Sequence, residues 1–233
     1  MRFSLIIPAC NEEKRIEKTL NDILNEFKGD DFEVIVICNN CKDNTYEIVR
    51  KFKDPIKPLN FPERIGKGGA ILEGFKVAKG DFIGFMDADG SYNPSLIKEM
   101  IDEMNKDNSD CVIVSRKNKI VSSGYETITR NIASIGWNLM IRHLLGLEFY
   151  DTQAGLKMFR KSMLDSIDKE FICKNFSFDI ELLWKIKKGG FKIKEISAKS
   201  KSINETSIGM RDVLEMSFSL FKFWLTINFK KED

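Results

Sequence analysis

The sequence is poor in the residues that build most metal and disulfide sites. Among 233 residues there is one histidine, His143, and the five cysteines form no paired framework. A structural zinc site, which needs four nitrogen or sulfur ligands, is therefore not expected. An odd number of cysteines favours reduced thiols and a cytoplasmic setting over disulfides. The one close pair, Cys38 and Cys41, falls at the end of a predicted strand, where we expect packing rather than redox chemistry.

Long apolar runs and an excess of one charge are also absent. No run approaches the roughly 18 apolar residues that cross a bilayer, so an integral membrane protein is not expected. Thirty-seven basic and 35 acidic side chains leave a net charge of +2, which gives no general reason to expect a nucleic-acid partner. With 42% hydrophobic and 31% charged residues, the composition is that of an ordinary globular chain with a substantial core.

The first half of the chain alternates strand and helix patterns. Continuous apolar runs predict strands over 3–8, 32–38, 56–61, 82–86 and 111–115. Prolines in and around 56–61 place that strand at a sheet edge. Segments with helical spacing of apolar residues separate the strands, and Asn11 is expected to cap the first helix. This alternation predicts an α/β fold with a doubly wound, mostly parallel sheet flanked by helices.

The most informative stretch is Asp87-Ala88-Asp89, which directly follows the apolar run over 82–86. Parallel strands end at one edge of a sheet, and ligands bind in the crevice at that edge. Polar clusters over 8–12 and 38–41 follow two other strands, so all three are expected to line one cleft. Two carboxylates so close repel unless a cation lies between them, which predicts a divalent ion bound together with a diphosphate. A solvated, Asp-rich turn is the simpler alternative.

Gly66-Lys67-Gly68 opens the third predicted helix and is similar to part of a phosphate-binding loop. It lacks the full P-loop spacing and the Ser or Thr that follows the lysine, so a P-loop is rejected. No G-x-G-x-x-G follows the first strand, which argues against a dinucleotide enzyme. Lys67 and the backbone N–H groups at the helix start can still bind an anion.

The second half predicts a helix over 127–145, strands over 156–159 and 191–196, and a helix between those two strands. The last segment, 213–229, has helical spacing of apolar residues and an unusually aromatic face. Packing of this face on the core or on another subunit is the simpler expectation, and a peripheral membrane contact helped by nearby lysines is the alternative.

A cluster of lysines lies over 185–201, where seven lysines stand against one glutamate. This cluster fits a solvated face as well as an anion-binding surface.

Six stretches, in this order and spacing, resemble the family 2 glycosyltransferases of GT-A fold, and among them the dolichyl- or polyprenyl-phosphate hexose synthases. The matching stretches are 4–13, 66–70, 87–90, 114–116, 151–157 and 178–182. The resemblance implies a single glycosyltransferase domain over 1–233. Within it, 1–116 would hold the nucleotide-sugar, 117–205 the acceptor, and 206–233 would form a C-terminal amphipathic helix.

The resemblance also implies an inverting, metal-dependent transfer of a hexose from a GDP-mannose or UDP-glucose type donor to a polyprenyl or dolichyl phosphate. The metal, Mg²⁺ or Mn²⁺, would bind Asp89 and Asp87. The implied nucleotide-sugar contacts are Pro8, Cys10, Glu12, Asn39, Lys67, Asp87, Ala88, Asp89, Arg116 and Lys201. The implied acceptor contacts are Arg130, Thr152, Gln153, Asp179 and Glu181. The implied catalytic group is Asp89, Asp87, Arg130 and Asp151.

Several positions depart from the family's usual pattern. Cys38 and Asn39 stand where the family often has two acidic residues, and an amide both donates and accepts, so the base preference stays open. Ser91 stands where some phosphomannose synthases have a metal-binding glutamine. Ile208 stands where the family often has a lysine. Lys201 would replace an arginine on the donor phosphates, where lysine is the weaker bidentate partner.

The acceptor decides whether a general base is needed. A lipid phosphate is anionic near neutral pH and needs none, whereas a sugar hydroxyl does. Asp151, Asp179 and Glu181 are the candidates for a base, but no acid–base pair stands out, so a phosphate acceptor is favoured. The favoured function predicts a cytoplasmic protein, peripheral at the cytoplasmic face of a membrane. The alternatives are a family 2 enzyme with a hydroxyl acceptor, making a glycan or small glycoside, and a non-catalytic nucleotide-sugar-binding module.

Overall fold

The structure, a computed structural model, describes residues 2–115, 145–198 and 210–229, with side chains in the last segment from residue 215 onward. Four predicted site or motif residues lie outside the described part of the chain: Arg116, Arg130, Lys201 and Ile208. The helix predicted over 127–145 also lies outside it, except for its last residue.

One mixed sheet of seven strands forms the centre of the described chain. The strands are β1 (Phe3–Ala9), β2 (Phe32–Asn39), β3 (Ile56–Phe61), β4 (Phe82–Met86), β5 (Cys111–Ser115), β6 (Leu156–Arg160) and β7 (Ile193–Ser197). Their order across the sheet is β3-β2-β1-β4-β6-β5-β7. β1 pairs in parallel with β2 and β4, β2 with β3, and β5 with β7, whereas β6 is antiparallel to both of its neighbours. The predicted mostly parallel sheet, with β3 at its edge, is confirmed.

β6 occupies a position that the strand–helix alternation does not predict. It enters antiparallel between β4 and β5, with Met86 paired to Leu156 and Ile113 paired to Lys157. An antiparallel strand begins at the edge where its parallel neighbours end. The turn before β6 is therefore delivered to the same edge of the sheet as the residues that follow β4.

Helices cover both faces of the sheet. The described helices are α1 (Ile16–Glu26), α2 (Thr45–Val49), α3 (Gly66–Val77), α4 (Ser95–Asp107), α5 (Lys161–Ser166), α6 (Phe178–Lys188) and α7 (Met210–Phe229). Side chains of α1, α2 and α4 pack in one hydrophobic cluster, and those of α3, α5, α6 and α7 pack in a second cluster. Successive residues of a strand point to opposite faces, so Leu5 joins the first cluster and Ile6 the second. Burial on both faces explains the continuous apolar runs.

The prediction that Asn11 caps α1 is wrong. The helix begins at Ile16, and the N–H groups of Arg15 and Ile16 both donate to the Glu12 carbonyl, which forms an intervening turn. Asn11 takes a left-handed backbone conformation with φ of 58°, which asparagine tolerates better than most residues. Its side-chain oxygen accepts the Lys42 N–H at 2.7 Å, so it joins the loops that follow β1 and β2.

Candidate functional site

The loops that follow β1, β2 and β4 lie side by side at the carboxyl edge of the sheet and form what we call the edge cleft. The Glu12 N–H donates to Thr45 Oγ1 at 2.7 Å, which ties the first loop to the second. Thr19 Oγ1 donates to the Ala88 carbonyl at 3.0 Å, which ties α1 to the loop after β4. The structure thus brings together the three polar clusters that the sequence places at strand ends.

Asp87 is held from two sides. Its N–H donates to the Gly155 carbonyl at 2.9 Å, and its Oδ1 lies 2.7 Å from Lys67 Nζ. Burial alone would lower the pKa of Lys67, but the Asp87 carboxylate, with Asp179 behind it, raises that pKa above its ordinary value. Lys67 is therefore charged throughout the physiological range and neutralises Asp87. The close approach requires glycine at position 155, since a Cβ there would lie 1.8 Å from Asp87 Oδ2.

Asp89 and Ala88 differ in what they offer to a ligand. Asp89 is half-buried at the edge cleft, and its Oδ1 accepts the Ser91 N–H at 2.9 Å, which shapes the turn after β4. Ala88 is buried, and its carbonyl is already bonded to Thr19. Asp89 is therefore the better placed of the two to meet a metal or a diphosphate.

These carboxylates fit a metal that arrives with its substrate. In the part of the chain that the structure describes, no group of three or more His, Cys, Asp or Glu side chains is arranged to hold a metal ion. Mg²⁺ is usually bound through one or two carboxylates, with substrate phosphates and water completing its shell. Asp87 and Asp89, both partly exposed, match that donor set.

The loops after β1 and β2 supply the expected nucleotide side of the edge cleft. Pro8 is half-buried and Cys10 is exposed. Burial raises the pKa of Glu12, although the Arg15 guanidinium, 2.8 Å from its carboxylate, opposes that shift. Asn39 is buried and accepts the Ile65 N–H at 2.9 Å, so its side-chain oxygen is already used within the protein.

Two cysteines lie at the end of β2 and in the loop after it, and both pack on the first hydrophobic cluster, Cys38 inside it and Cys41 at its border. Cys38 is fully buried in the first hydrophobic cluster, as expected. Cys41 is half-buried, and a hydrogen bond from the Cys38 thiol, assisted by the Asn11 N–H, lowers the pKa of Cys41 to about 6 against the effect of burial. The C-x-x-C spacing is the one signal in the sequence for this pair of thiols.

The glycines at the start of α3 serve packing. A Cβ on Gly68 would lie 2.4 Å from Phe178 Cβ, so α3 and α6 approach closely there. The Gly69 N–H donates to the Lys174 carbonyl at 3.0 Å and is used within the protein. Of the expected anion-binding groups, Lys67 is the one that points to the edge cleft, because it meets Asp87 there.

The turn over 150–155 is fixed at both ends; we call it the acceptor turn after the acceptor contacts that the family resemblance implies for it. The Tyr150 and Asp151 N–H groups donate to the Glu195 carboxylate at 3.0 and 3.1 Å. The Gly155 N–H donates to the Tyr92 hydroxyl at 3.3 Å. The turn therefore enters the edge cleft beside Asp87 in a defined conformation.

The side chains of the acceptor turn are unequally exposed. Asp151 and Gln153 are half-buried, and Gln153 Nε2 lies 3.5 Å from the Phe176 carbonyl. Thr152 is buried, and its Oγ1 has no hydrogen-bond partner within the described residues. The predicted contacts of these residues with an acceptor stay predictions.

Asp179 and Glu181 lie inside the protein, with 2% and 1% of their surface exposed. The Asp179 carboxylate lies 2.6 Å from Lys157 Nζ. Glu181 accepts the Ile172 and Cys173 N–H groups at 3.0 and 2.7 Å and so anchors the segment before α6. Both carboxylates have partners within the protein, and their expected acceptor contacts stay predictions.

Open α/β sheets bind ligands in the crevice at the carboxyl ends of their strands, and here that crevice holds two carboxylates and a lysine. The fold and this arrangement are those of the GT-A glycosyltransferases, to whose solved structures the chain is similar. Residues 4–168 match the model of glycosyl transferase family 2. The chain belongs to that family, which confirms the predicted family and enzyme class.

Known proteins resemble the chain over most of its length. It is 28% identical to a dolichyl-phosphate beta-glucosyltransferase of Trichomonas vaginalis, over 94% of this chain and 72% of that protein. It is 27% identical to the UDP-N-acetylglucosamine–dolichyl-phosphate N-acetylglucosaminyltransferase of Methanococcus voltae, over 84% of each. The structure of glucosyl-3-phosphoglycerate synthase from Mycobacterium tuberculosis with Mn²⁺, UDP and glucosyl-3-phosphoglycerate has a TM-score of 0.73 at 19% identity, covering 100% of this chain and 81% of that chain. This likeness confirms the fold.

Proposed function

We propose that the chain transfers a hexose or an N-acetylhexosamine from a nucleotide-sugar to a polyprenyl phosphate, with inversion at the anomeric carbon. The observation that carries this proposal is the meeting of Asp87, Asp89 and Lys67 in one cleft. Relatives named for transfer to dolichyl phosphate, which match the chain over this cleft, support the lipid phosphate as acceptor. UDP in the related solved structure and in the name of one relative favours UDP over GDP as the donor nucleotide.

The residues of the edge cleft have different proposed roles in the transfer reaction. Asp89 and Asp87 would hold Mg²⁺ or Mn²⁺, which when bound neutralises the charge that grows on the leaving nucleoside diphosphate. Lys67 adds a fixed positive charge beside that leaving group. The acceptor phosphate oxygen attacks the anomeric carbon as the bond to the diphosphate breaks, so the configuration inverts. Arg116 and Arg130, outside the described residues, remain proposals for the donor and acceptor phosphates.

The burial of two candidate bases supports a phosphate acceptor. Asp179 and Glu181 are buried, whereas Asp151 is half-buried at the edge cleft, so Asp151 is the candidate that an acceptor can reach. A phosphate acceptor needs no base, and replacement of Asp151 by asparagine should then lower kcat less than about tenfold. A hydroxyl acceptor would need Asp151 as its base, and the same change should lower kcat by about 10² to 10⁴.

Helix α7 supports a peripheral contact with the membrane that holds the acceptor. Met216, Leu220 and Phe223 are buried against the second hydrophobic cluster or next to it. The opposite side exposes an aromatic stripe, Phe218, Phe221, Leu225 and Phe229. Within the described ranges, no helix combines the length and apolarity needed to cross a bilayer. An amphipathic helix with aromatic residues on its apolar face and a lysine nearby is suited to lie in a membrane interface.

Thermal unfolding with added donor tests the donor site. The purified chain is heated with Mn²⁺ and, separately, UDP-glucose, UDP-N-acetylglucosamine or GDP-mannose. A ligand that binds only the folded state raises the midpoint by mass action. We expect one UDP-sugar to raise it in the presence of Mn²⁺ and not in its absence. No shift with any of the three donors would contradict the donor site, and binding without turnover would favour the non-catalytic module.

A further inference from the structure

A lysine and an aspartate lie paired in the interior directly behind the edge cleft. Lys157 in β6 and Asp179 in the first turn of α6, the interior pair, have 0% and 2% of their surface exposed. Lys157 Nζ lies 2.6 Å from Asp179 Oδ1, donates to the Ala154 carbonyl at 2.7 Å and stands 5.2 Å from the centre of the Phe85 ring. An ammonium has three donors, and these three partners surround it.

The interior pair is connected to Asp87 through the backbone. Lys157 Nζ donates to the Ala154 carbonyl, and the carbonyl of the next residue, Gly155, accepts the Asp87 N–H at 2.9 Å. The contact between Lys157 and Ala154 therefore fixes the end of the acceptor turn against the first residue after β4.

Stability does not explain why a charged residue stands in β6. The neighbours of Lys157 in this strand are Leu156, Met158 and Phe159, all fully buried. The desolvation cost of two buried charges offsets their attraction, and well-packed apolar side chains of similar volume are often as stabilising or more so. The two hydrogen bonds of Lys157, to Asp179 and to the Ala154 carbonyl, fix the positions of the groups that they join.

We infer that the interior pair positions Asp87: it fixes the end of the acceptor turn, and the Gly155 carbonyl of that turn holds the backbone of Asp87 beside the proposed metal and donor. This role rests on the proposed function, since it presumes a donor site at Asp87 and Asp89. Neither member of the pair is proposed to touch substrate, and Asp179 thereby has a task other than that of a general base.

The variant K157M/D179L tests this role, because it removes both charges and keeps apolar volume. The full chain is compared with wild type for its thermal midpoint, for Mn²⁺ affinity with UDP present by the paramagnetic resonance of free Mn²⁺, and for hydrogen exchange in peptides covering 85–89 and 150–157. We expect a midpoint within a few degrees of wild type, Mn²⁺ binding weakened about tenfold, and faster exchange in both peptides. Residues that orient metal ligands from behind typically contribute 10- to 100-fold in affinity.

A second ion pair provides the matched control. Glu33 is 2% exposed, lies in β2 and bonds to Lys57 Nζ at 2.8 Å and to the Lys79 N–H at 2.7 Å, at the end of the sheet opposite the edge cleft. K57M/E33L should change the midpoint and leave Mn²⁺ affinity as in wild type. A general loss of rigidity would instead weaken Mn²⁺ binding in both double variants, which would overturn the positioning role.

The outcomes separate this role from the donor site itself. If K157M/D179L binds Mn²⁺ as tightly as wild type and its peptides exchange hydrogen at the wild-type rate, the positioning role is overturned and the donor site stands. A wild-type chain that binds neither Mn²⁺ nor UDP would overturn the proposed function. If K157M/D179L does not fold, K157M/D179N serves, because methionine has no donor for the Ala154 carbonyl and asparagine keeps the size of aspartate without its charge. Unchanged Mn²⁺ affinity in a folded K157M/D179N would equally overturn the role.

Discussion

Two carboxylates one residue apart have different surroundings in this chain. Asp87 is held by Lys67 and by the backbone of Gly155, whereas Asp89 lies partly exposed in the turn that its own carboxylate shapes. A carboxylate held by a lysine, next to a second carboxylate that is also partly exposed, suits a cation that is delivered with a diphosphate. Asp89 is therefore proposed as the principal metal ligand and Asp87 as its positioned neighbour.

Replacement of Asp89 by asparagine tests whether Asp89 is the principal metal ligand. We expect kcat to fall by about 10² to 10³, because the stabilisation of the leaving diphosphate is lost. The Mn²⁺-dependent rise of the thermal midpoint with donor should disappear. D22N, at an exposed helical position paired with Lys18, is the control and should keep both properties. An Asp89 variant with wild-type kcat would contradict the assigned metal site.

The lowered pKa of Cys41 predicts that its rate of alkylation depends on pH. Because the hydrogen bond from Cys38 lowers its pKa to about 6, Cys41 should be mostly thiolate at pH 7. In a C10S background, which removes the exposed thiol, the rate of alkylation by iodoacetamide should rise as pH increases through about 6 and level off above it. The C10S/C41S chain is the control. A rate that rises only near pH 9, the ordinary thiol range, would contradict the lowered pKa.

At the scale of elements, β6 and the acceptor turn decide the shape of the edge cleft. β6 begins where β4 and β5 end, so an element from the second half of the chain meets Asp87 from the first half. Periodicity predicts β6 as a strand, but local sequence carries no information on its direction or neighbours. Its antiparallel entry depends on pairing across about 70 residues of chain, which only the folded sheet specifies.

The exposed stripe on α7 can be removed without touching the packed side of the helix. We expect F218S/F221S/F229S to keep the wild-type thermal midpoint within a few degrees and to lose sedimentation with vesicles that contain anionic lipid. L220A, which shortens a buried side chain on the same helix, should lower stability by about 2–5 kcal/mol. Unchanged vesicle binding, or conversion of a dimer to a monomer, would point to a protein partner instead.

At the scale of the whole molecule, the sequence predicted the fold and the location of the site better than the partners within it. Apolar runs and the position of Asp87-Ala88-Asp89 after one of them follow from local patterns, and the structure bears them out. Asn11 was interpreted as a helix cap from its own chemistry, and the family resemblance placed Asp179 and Glu181 on the acceptor side, which stays a prediction. Their partners, Lys42, Lys157 and the segment before α6, are distant in the chain, and no local pattern identifies them.

The functional conclusion also belongs to the whole molecule. Most residues proposed for the donor come from the first half of the chain, and the acceptor turn and α7 come from the second half, so the proposed transfer draws on both halves. The net charge of +2 gives no reason to expect nucleic acid, and the aromatic stripe of α7 lies on the same chain as a cleft proposed to bind a diphosphate. A water-soluble donor and a lipid acceptor are the pair of substrates that these features fit together.

The central claim is tested most directly by transfer of labelled sugar from UDP-glucose or UDP-N-acetylglucosamine, with Mn²⁺, to polyprenyl phosphate and, in parallel, to polyprenol of the same chain length. We predict an organic-extractable product from the phosphate and none from the alcohol. The product should require Mn²⁺ and should be lost in D89N. Label that remains in water-soluble glycans, or equal transfer to the alcohol, would contradict the assignment of a lipid phosphate as acceptor.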